Sequence, residues 1–246
     1  MSISVIIPAY NEEDYIGKLL EDLTHQTNKP EQVIVADCSS EDGTVVTVLK
    51  FTDVLPLEIV NTQIRSAASA RNSGASATQS DYLLFIDADM RIRDNFVEKM
   101  VSHTEGKGAD FVSPRFRAES RHPIDALVVW YINLWIRFYH MFMRRRAMGI
   151  GGALLIRKSK HDAIGGFNPE KREFDDIDYC WRLNKEGVTF TFAWEAIAIT
   201  SSRRFDEQGR LKTIIQGLPD NHLLVRKIVR PSMKRLGVEP KWKDKD

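Results

Sequence analysis

The sequence predicts an α/β fold: a Rossmann-like, mainly parallel central sheet with helices on both faces. Three observations predict it. Short apolar runs alternate four times with helical segments before residue 90, the pattern of strands joined by helical crossovers. Polar or acidic residues follow the first, second and fourth runs directly, at the strand ends where open α/β sheets bind ligands. The composition, 43% hydrophobic and 28% charged over 246 residues, is that of an ordinary globular protein with a sizeable core.

The elements follow in order. Ser4-Val5-Ile6-Ile7-Pro8 is the first strand, and Ala9-Tyr10-Asn11-Glu12-Glu13 leaves it. Ile16, Leu19, Leu20 and Leu23 then recur at helical spacing. Gln32-Val33-Ile34-Val35-Ala36 is a second strand, with the polar turn Asp37-Cys38-Ser39-Ser40-Glu41-Asp42-Gly43-Thr44 behind it. A helix is expected over 45–51, a third strand at Leu57-Glu58-Ile59-Val60, and an Ala- and Ser-rich helix over 66–79. Tyr82-Leu83-Leu84-Phe85-Ile86, without Gly or Pro, is the fourth strand.

After Asp89 the pattern changes. A helix over 96–103 precedes a strand at Phe111-Val112-Ser113-Pro114. Residues 124–143 form the most apolar stretch, with Asn133, Arg137, His140 and Arg144 as a narrow polar stripe. Those polar residues interrupt it too often for a transmembrane span. It reads either as a core or dimer-contact helix, or as an interfacial one. In the second case Trp130, Tyr131, Trp135 and Tyr139 lie at headgroup depth, with Arg144-Arg145-Arg146 on anionic lipid. Gly149 to Gly152 is a turn into the strand Ala153-Leu154-Leu155-Ile156, and Gly165-Gly166-Phe167-Asn168-Pro169 is another turn. Asp175, Asp176 and Asp178 open a helix that ends at Gly187, acids in the first turn as the helix dipole prefers. Residues 189–200 read as one or two strands, and a basic helical tail follows.

Charge is balanced overall at +1, which points away from nucleic acid. From residue 203 onward, however, there are 12 basic and 6 acidic residues, against 23 and 28 before it. A basic tail on an acidic body suits an anionic membrane surface or a solvated helical face. Two cysteines, Cys38 and Cys180, and an N-terminus that enters a strand at once predict a reduced, cytoplasmic protein, which the interfacial reading of residues 124–146 with the basic tail would set peripherally on the inner face of the membrane.

Asp87-Ala88-Asp89 carries the chemistry. Two carboxylates at a strand end converge on one spot, and Mg²⁺ or Mn²⁺ takes such oxygens together with substrate phosphates. Alone, the pair also reads as a solvated loop. No G-x-G-x-x-G follows the first strand and no G-x-x-x-x-G-K-[ST] occurs, so neither a dehydrogenase nor a P-loop enzyme is indicated.

Taken together, the ordered set resembles the family 2 glycosyltransferases, inverting enzymes of the GT-A fold that use nucleotide-sugar donors. The matches are Ser4 to Glu13, Asp37-x-x-Ser40-x-Asp42-Gly43-Thr44, Ala70-Arg71-Asn72-x-Gly74, Asp87-Ala88-Asp89, Gly151-Gly152, Gly165-Gly166-Phe167-Asn168, and Asp175-Asp176-x-Asp178 with Arg182. The resemblance implies a nucleoside pocket lined by Pro8, Ala9, Tyr10 and Glu12, with Asp37 accepting from the base. It implies that Arg71 lies near the nucleoside or diphosphate, and that Asp87, Ala88 and Asp89 meet ribose and metal, Asp89 as the direct ligand. Asp176 would be the general base, with Asp175 and Asp178 as alternatives.

The expected cofactor is Mn²⁺ or Mg²⁺. The expected donor is UDP- or GDP-linked, and the acceptor a glycan or a lipid-linked molecule. Residues 1–205 would form the GT-A domain, 1–110 binding donor and 111–205 acceptor, and 206–246 a basic helical extension. The family's Glu-Asp pair is Asp175-Asp176 here, and Cys38 replaces a second acid or Gly. The Gln-x-x-Arg-Trp of processive polymer synthases is absent. Residues 201–205 could add cationic contacts, and His222 a further metal ligand. A sugar-phosphate nucleotidyltransferase would carry a Gly-rich, Arg-containing loop after the first strand, where this chain has Pro-Ala-Tyr-Asn-Glu-Glu. A non-catalytic sugar-nucleotide-binding protein is opposed by intact acids at 87, 89, 175, 176 and 178.

Overall fold

Four apolar runs form a parallel sheet, three of them buried on both faces and the remaining one, Leu57 to Asn61, a half-exposed edge. In the computed structural model, which describes residues 1–120, 122–142, 152–171 and 175–203, these are β1 (Ile3–Ala9), β2 (Gln32–Asp37), β3 (Leu57–Asn61) and β4 (Tyr82–Ile86). β1 lies between β2 and β4, and β2 pairs outward with β3, all parallel. The crossovers are α1 (Ile16–Thr24), α2 (Thr44–Leu49) and α3 (Ala67–Ser76). The register aligns Ala9 with Asp37 and Asp37 with Asn61. The loops leaving these strands therefore share one edge.

The expected mainly parallel sheet is a mixed one. β5 (Arg91–Ile92), β6 (Phe111–Ala118), β7 (Ala153–Arg157) and β8 (Phe190–Thr200) complete the order β3-β2-β1-β4-β7-β6-β8-β5 among the described residues. Here β4 pairs β7, β7 pairs β6 and β8 pairs β5, all antiparallel. A fully buried run such as Ala153 to Ile156 is equally apolar in either direction, so its sequence carries no sign of orientation. Residues 190–200 form one strand rather than two.

The remaining helices are α4 (Phe96–Lys107), α5 (Pro123–Phe142), α6 (Lys158–Ala163) and α7 (Asp175–Lys185). The two-residue β5 and the one-and-a-half-turn α6 were not expected, being too short to show a period. α7 ends as expected, with Gly187 at φ 65°.

The chain divides into two compact units, one of Met1–Arg117 with Trp130–Thr200, the other of Ala118–Val129 and residues from 201 on. In the second unit, Pro123 starts α5 where its missing N–H costs nothing. The expectations for Gly149 to Gly151, Arg144 to Arg146, residues 204–246 and His222 lie outside the described residues. In the first unit, Asn133 of the expected polar stripe on α5 turns inward while Arg137 is exposed. Buried Asn133 donates Nδ2 to the Phe116 carbonyl at 2.7 Å and accepts the Phe116 N–H at 2.9 Å. No helix among the described residues is long and apolar enough to cross a membrane. Cys38 and Cys180 are both free and buried, and Cys38 packs with Ala36 and Ala70 as a small core residue.

α3 lies directly against β1, and Gly74 is the reason it can. A Cβ at Gly74 would stand 2.5 Å from Ile6 Cγ2. Gly to Ala inside a helix normally gains about 1 kcal/mol. Here Gly74→Ala is expected to lose about 1–3 kcal/mol through overpacking. Urea unfolding at unchanged m checks it; a stabilised variant would mean the helix can move off the sheet.

Candidate active site

The loops after β1 and β2 hold each other. Asn11 N–H donates to Ser40 Oγ at 3.0 Å, and the Glu41 N–H donates back to Asn11 Oδ1 at 2.9 Å. Glu12 N–H reaches Thr44 Oγ1 at 2.7 Å, and Gly43 N–H reaches Glu13 Oε2 at 2.7 Å. Asn11 takes φ 54° to do this, a left-handed conformation that Asn tolerates. The polar residues of both motifs are thus consumed largely in lacing one loop to the other. Asp37 is buried at the end of β2, where its carboxylate accepts from Ser40 N–H at 2.9 Å and Ser40 Oγ at 2.5 Å. Each oxygen keeps a lone pair for a further donor. Tyr10 is exposed, and the Arg65 guanidinium lies 4.9 Å from its ring centre while pairing with Glu41. Arg65 belongs to no motif, and sequence reasoning missed it.

Arg71 is the centre of the site. Its side chain is 5% exposed, and it donates to Asp87 Oδ1 at 2.8 Å and to Asp175 Oδ2 at 2.7 Å. Burial opposes the charged guanidinium, but Asp87, Asp175 and Asp176 outweigh it and hold its pKa above the ordinary arginine value. Two acid clusters 88 residues apart in the chain, at 87 and 175, are thereby tied to one cation.

The neighbours of Arg71 fix its place. Asn72 donates Nδ2 to the Phe167 carbonyl and accepts the Phe167 N–H, both at 2.8 Å. Gly166, at φ 71°, leaves room for this, since a Cβ there would meet Asn72 Oδ1 at 2.5 Å. The Phe167 ring then stacks on Tyr179 at 3.9 Å, meets Phe85 edge-on, and carries the Arg71 guanidinium 5.2 Å from its centre. Tyr179 hydroxyl bonds His161 Nδ1 at 2.7 Å, and burial pushes the His161 pKa down to about 4, so this histidine is neutral at pH 7.

The three acids of α7 separate here. Asp175 meets Arg71. Asp178 takes Arg182 Nε at 2.8 Å, and Arg182 also donates to the carbonyls of Ile164 and Gly166. Asp178 thus supports the glycine turn through Arg182. Asp176, part-exposed, accepts the Ile177 N–H at 2.8 Å.

Asp87 and Asp89 are part-exposed while Ala88 and Met90 are buried, so the motif alternates outward and inward. Asp87 N–H donates to the Gly152 carbonyl at 2.8 Å, and a Cβ at Gly152 would lie 2.2 Å from Met90 Cε. A nearby open cleft of about 440 Å³ is lined by Arg65, Ser66, Ala67, Ala68, Lys171 and Asp175. It places two cations beside the N-terminal turn of α3. Lys171 was also missed; a lone Lys after a turn has no period or motif to mark it.

This arrangement can be set beside known proteins. The sequence model of Glycosyl transferase family 2 matches residues 4–165. The chain belongs to that family. A curated relative of this family 2 glycosyltransferase is the glycosyltransferase AglE of Haloferax volcanii, 28% identical over 213 residues, which cover 83% of this chain and 68% of AglE. Among solved structures, the mannosyltransferase PcManGT of Pyrobaculum calidifontis, in complex with GDP-Man and Mn²⁺, aligns with a TM-score of 0.69 at 20% identity, covering 95% of this chain and 67% of PcManGT. S. aureus TarS residues 1–349 with UDP-GlcNAc aligns with a TM-score of 0.66 at 15% identity, covering 95% and 73%. At such identities the structures establish the fold, a GT-A arrangement of one mixed sheet with helices.

Asp87 and Asp89 suit a divalent cation in kind: hard oxygen donors, part-exposed, with Ala88 and Met90 anchoring them from below. Among the described residues no group of three or more His, Cys, Asp or Glu side chains could hold a metal. Two carboxylates completed by diphosphate oxygens is how Mg²⁺-type sites are usually built, so the residues fit.

Proposed function

We propose that this chain is an inverting glycosyltransferase that moves a sugar from a nucleotide-diphosphate sugar to an acceptor hydroxyl. The observation that carries this reading is Arg71 bridging Asp87 and Asp175, which sets a donor-side acid pair beside an acid-rich helix end. The nucleoside would lie over Pro8, Ala9, Tyr10 and Glu12, with Asp37 accepting from a base N–H. A base lacking that donor would bind more weakly, because the buried carboxylate would be left with its Ser40 partners. The cleft with Arg65 and Lys171 at the start of α3 suits the diphosphate charge.

Asp87 and Asp89 would hold Mn²⁺ or Mg²⁺, which when bound offsets the negative charge developing on the departing diphosphate. Asp176 would take the acceptor hydroxyl proton as that oxygen bonds the anomeric carbon and the carbon–phosphate oxygen bond breaks. Asp175 and Asp178 each pair with a guanidinium, and Asp176 is part-exposed at the same helix start and adds to the negative charge around Arg71. Arg71 would act by fixing Asp87 and Asp175 rather than by meeting phosphate itself.

A thermal-shift panel of UDP, GDP and CDP with their sugars, run with Mn²⁺ and with chelator, tests the donor reading. A ligand at a hundred times its Kd should stabilise by about 2.7 kcal/mol. One nucleotide family is expected to raise Tm with metal and to lose most of that rise with chelator. No shift from any nucleotide in the presence of metal sinks the proposal.

A further inference from the structure

We propose that the outer face of α5 docks on an anionic lipid surface. Within the first unit, Trp130, Tyr131, Leu134, Phe138 and Met141 are each 47% to 59% exposed. At 100° per residue they fall on one stripe of the helix. The opposite side carries buried Asn133 and Ile136, with Asn133 satisfying the Phe116 backbone. Large apolar side chains thus face outward on this helix, while Asn133, Ile136 and Val129 are buried. Five large apolar side chains in one continuous stripe are more than scattered surface residues, and such patches mark protein or membrane contacts.

Charge selects between those occupants. Beside the stripe, Arg115 and Arg137 both lie over the Trp194 ring, at 4.4 and 5.3 Å from its centre. Among the described residues neither is paired with a carboxylate. A two-fold contact through this face would bring the same arginines of two copies together, whereas lipid phosphates would satisfy them. The sequence adds Arg144-Arg145-Arg146 just beyond α5 and 12 basic against 6 acidic residues from 203 on. Trp and Tyr beside cations on one helical face is the composition of an interfacial helix. Docking would set the chain at a bilayer surface whether or not its acceptor is itself a lipid.

Sedimentation of the full chain with vesicles of phosphatidylcholine alone, or mixed with phosphatidylglycerol, tests this. The chain is expected to sediment with the mixed vesicles, less so at raised salt. R115Q/R137Q should weaken that binding by about tenfold, and L134E/M141E should abolish it without changing Tm. Should L134E/M141E fail to fold, emission of the native tryptophans decides: brominated lipid should quench it, and Trp130→Phe should reduce the quenching. The proposal is overturned if neither vesicle sediments the chain, if folded L134E/M141E binds like the parent, or if brominated lipid leaves emission unchanged. A dimer that L134E/M141E dissociates, without vesicle binding, would also overturn it and assign the face to a second copy.

Discussion

Asp176→Asn is expected to lower kcat by about 10²–10⁴-fold, the range in which removing a general base acts, while donor binding and Tm stay near those of the parent. Three acids open α7, and the helix dipole alone would favour all of them. The structure gives two of them guanidinium partners. Asp175 is ion-paired with Arg71, and Asp178 with Arg182. Asn keeps the shape of Asp176 and its acceptance of the Ile177 N–H, so folding should tolerate it. Steady-state kinetics with the donor found by thermal shift, with isothermal binding of that donor in parallel, gives the separation required. Full turnover by Asp176→Asn would remove it from the chemistry. Asp178→Asn serves as contrast, because its partner Arg182 holds the carbonyls of Ile164 and Gly166 and its loss should appear in stability first.

Arg71→Ala should be the most destabilising single change in the site, by about 3 kcal/mol, the lower end of what breaking a buried ion pair costs. The lower end applies because the partners are part-exposed, 34% for the Asp87 side chain and 20% for Asp175, and water can reach both once the cation is gone. The variant also opens a void above the Phe167 ring. Arg71→Lys keeps the charge but not the planar fork, and one ammonium cannot match both carboxylate geometries, so it should recover only part of the loss. Urea denaturation read by far-ultraviolet circular dichroism measures both. An Arg71→Ala variant as stable as the parent would mean that the two acid clusters are held together by other contacts.

Much of this was legible in the sequence because the signals are local. A buried parallel strand needs an unbroken apolar run, and β1, β2 and β4 are such runs. Ala70-Arg71-Asn72-x-Gly74 stood out as a motif, but its division of labour did not. Arg71 holds acids, Asn72 holds Phe167, and Gly74 admits Ile6, and every one of these partners lies on another element or on a turn far along the chain. Arg65 and Lys171 were invisible because single cations in loops have neither period nor motif. Of the polar stripe expected on α5, Asn133 is buried and Arg137 exposed. Which side of the helix meets water was not a property of that segment: it depends on Phe116, whose backbone Asn133 satisfies.

By itself, then, the sequence determined the strand–helix alternation, the acids at the strand ends and the family, since each depends on residues close in the chain or on their order. Strand direction beyond Asp89, the pairing of Asp87 and Asp175 through one buried arginine, and the outward turn of the α5 apolar face were decided only by tertiary structure. In each case the deciding partner is tens of residues away, and a buried charge or an unsatisfied backbone group takes whichever partner the fold brings within hydrogen-bond reach.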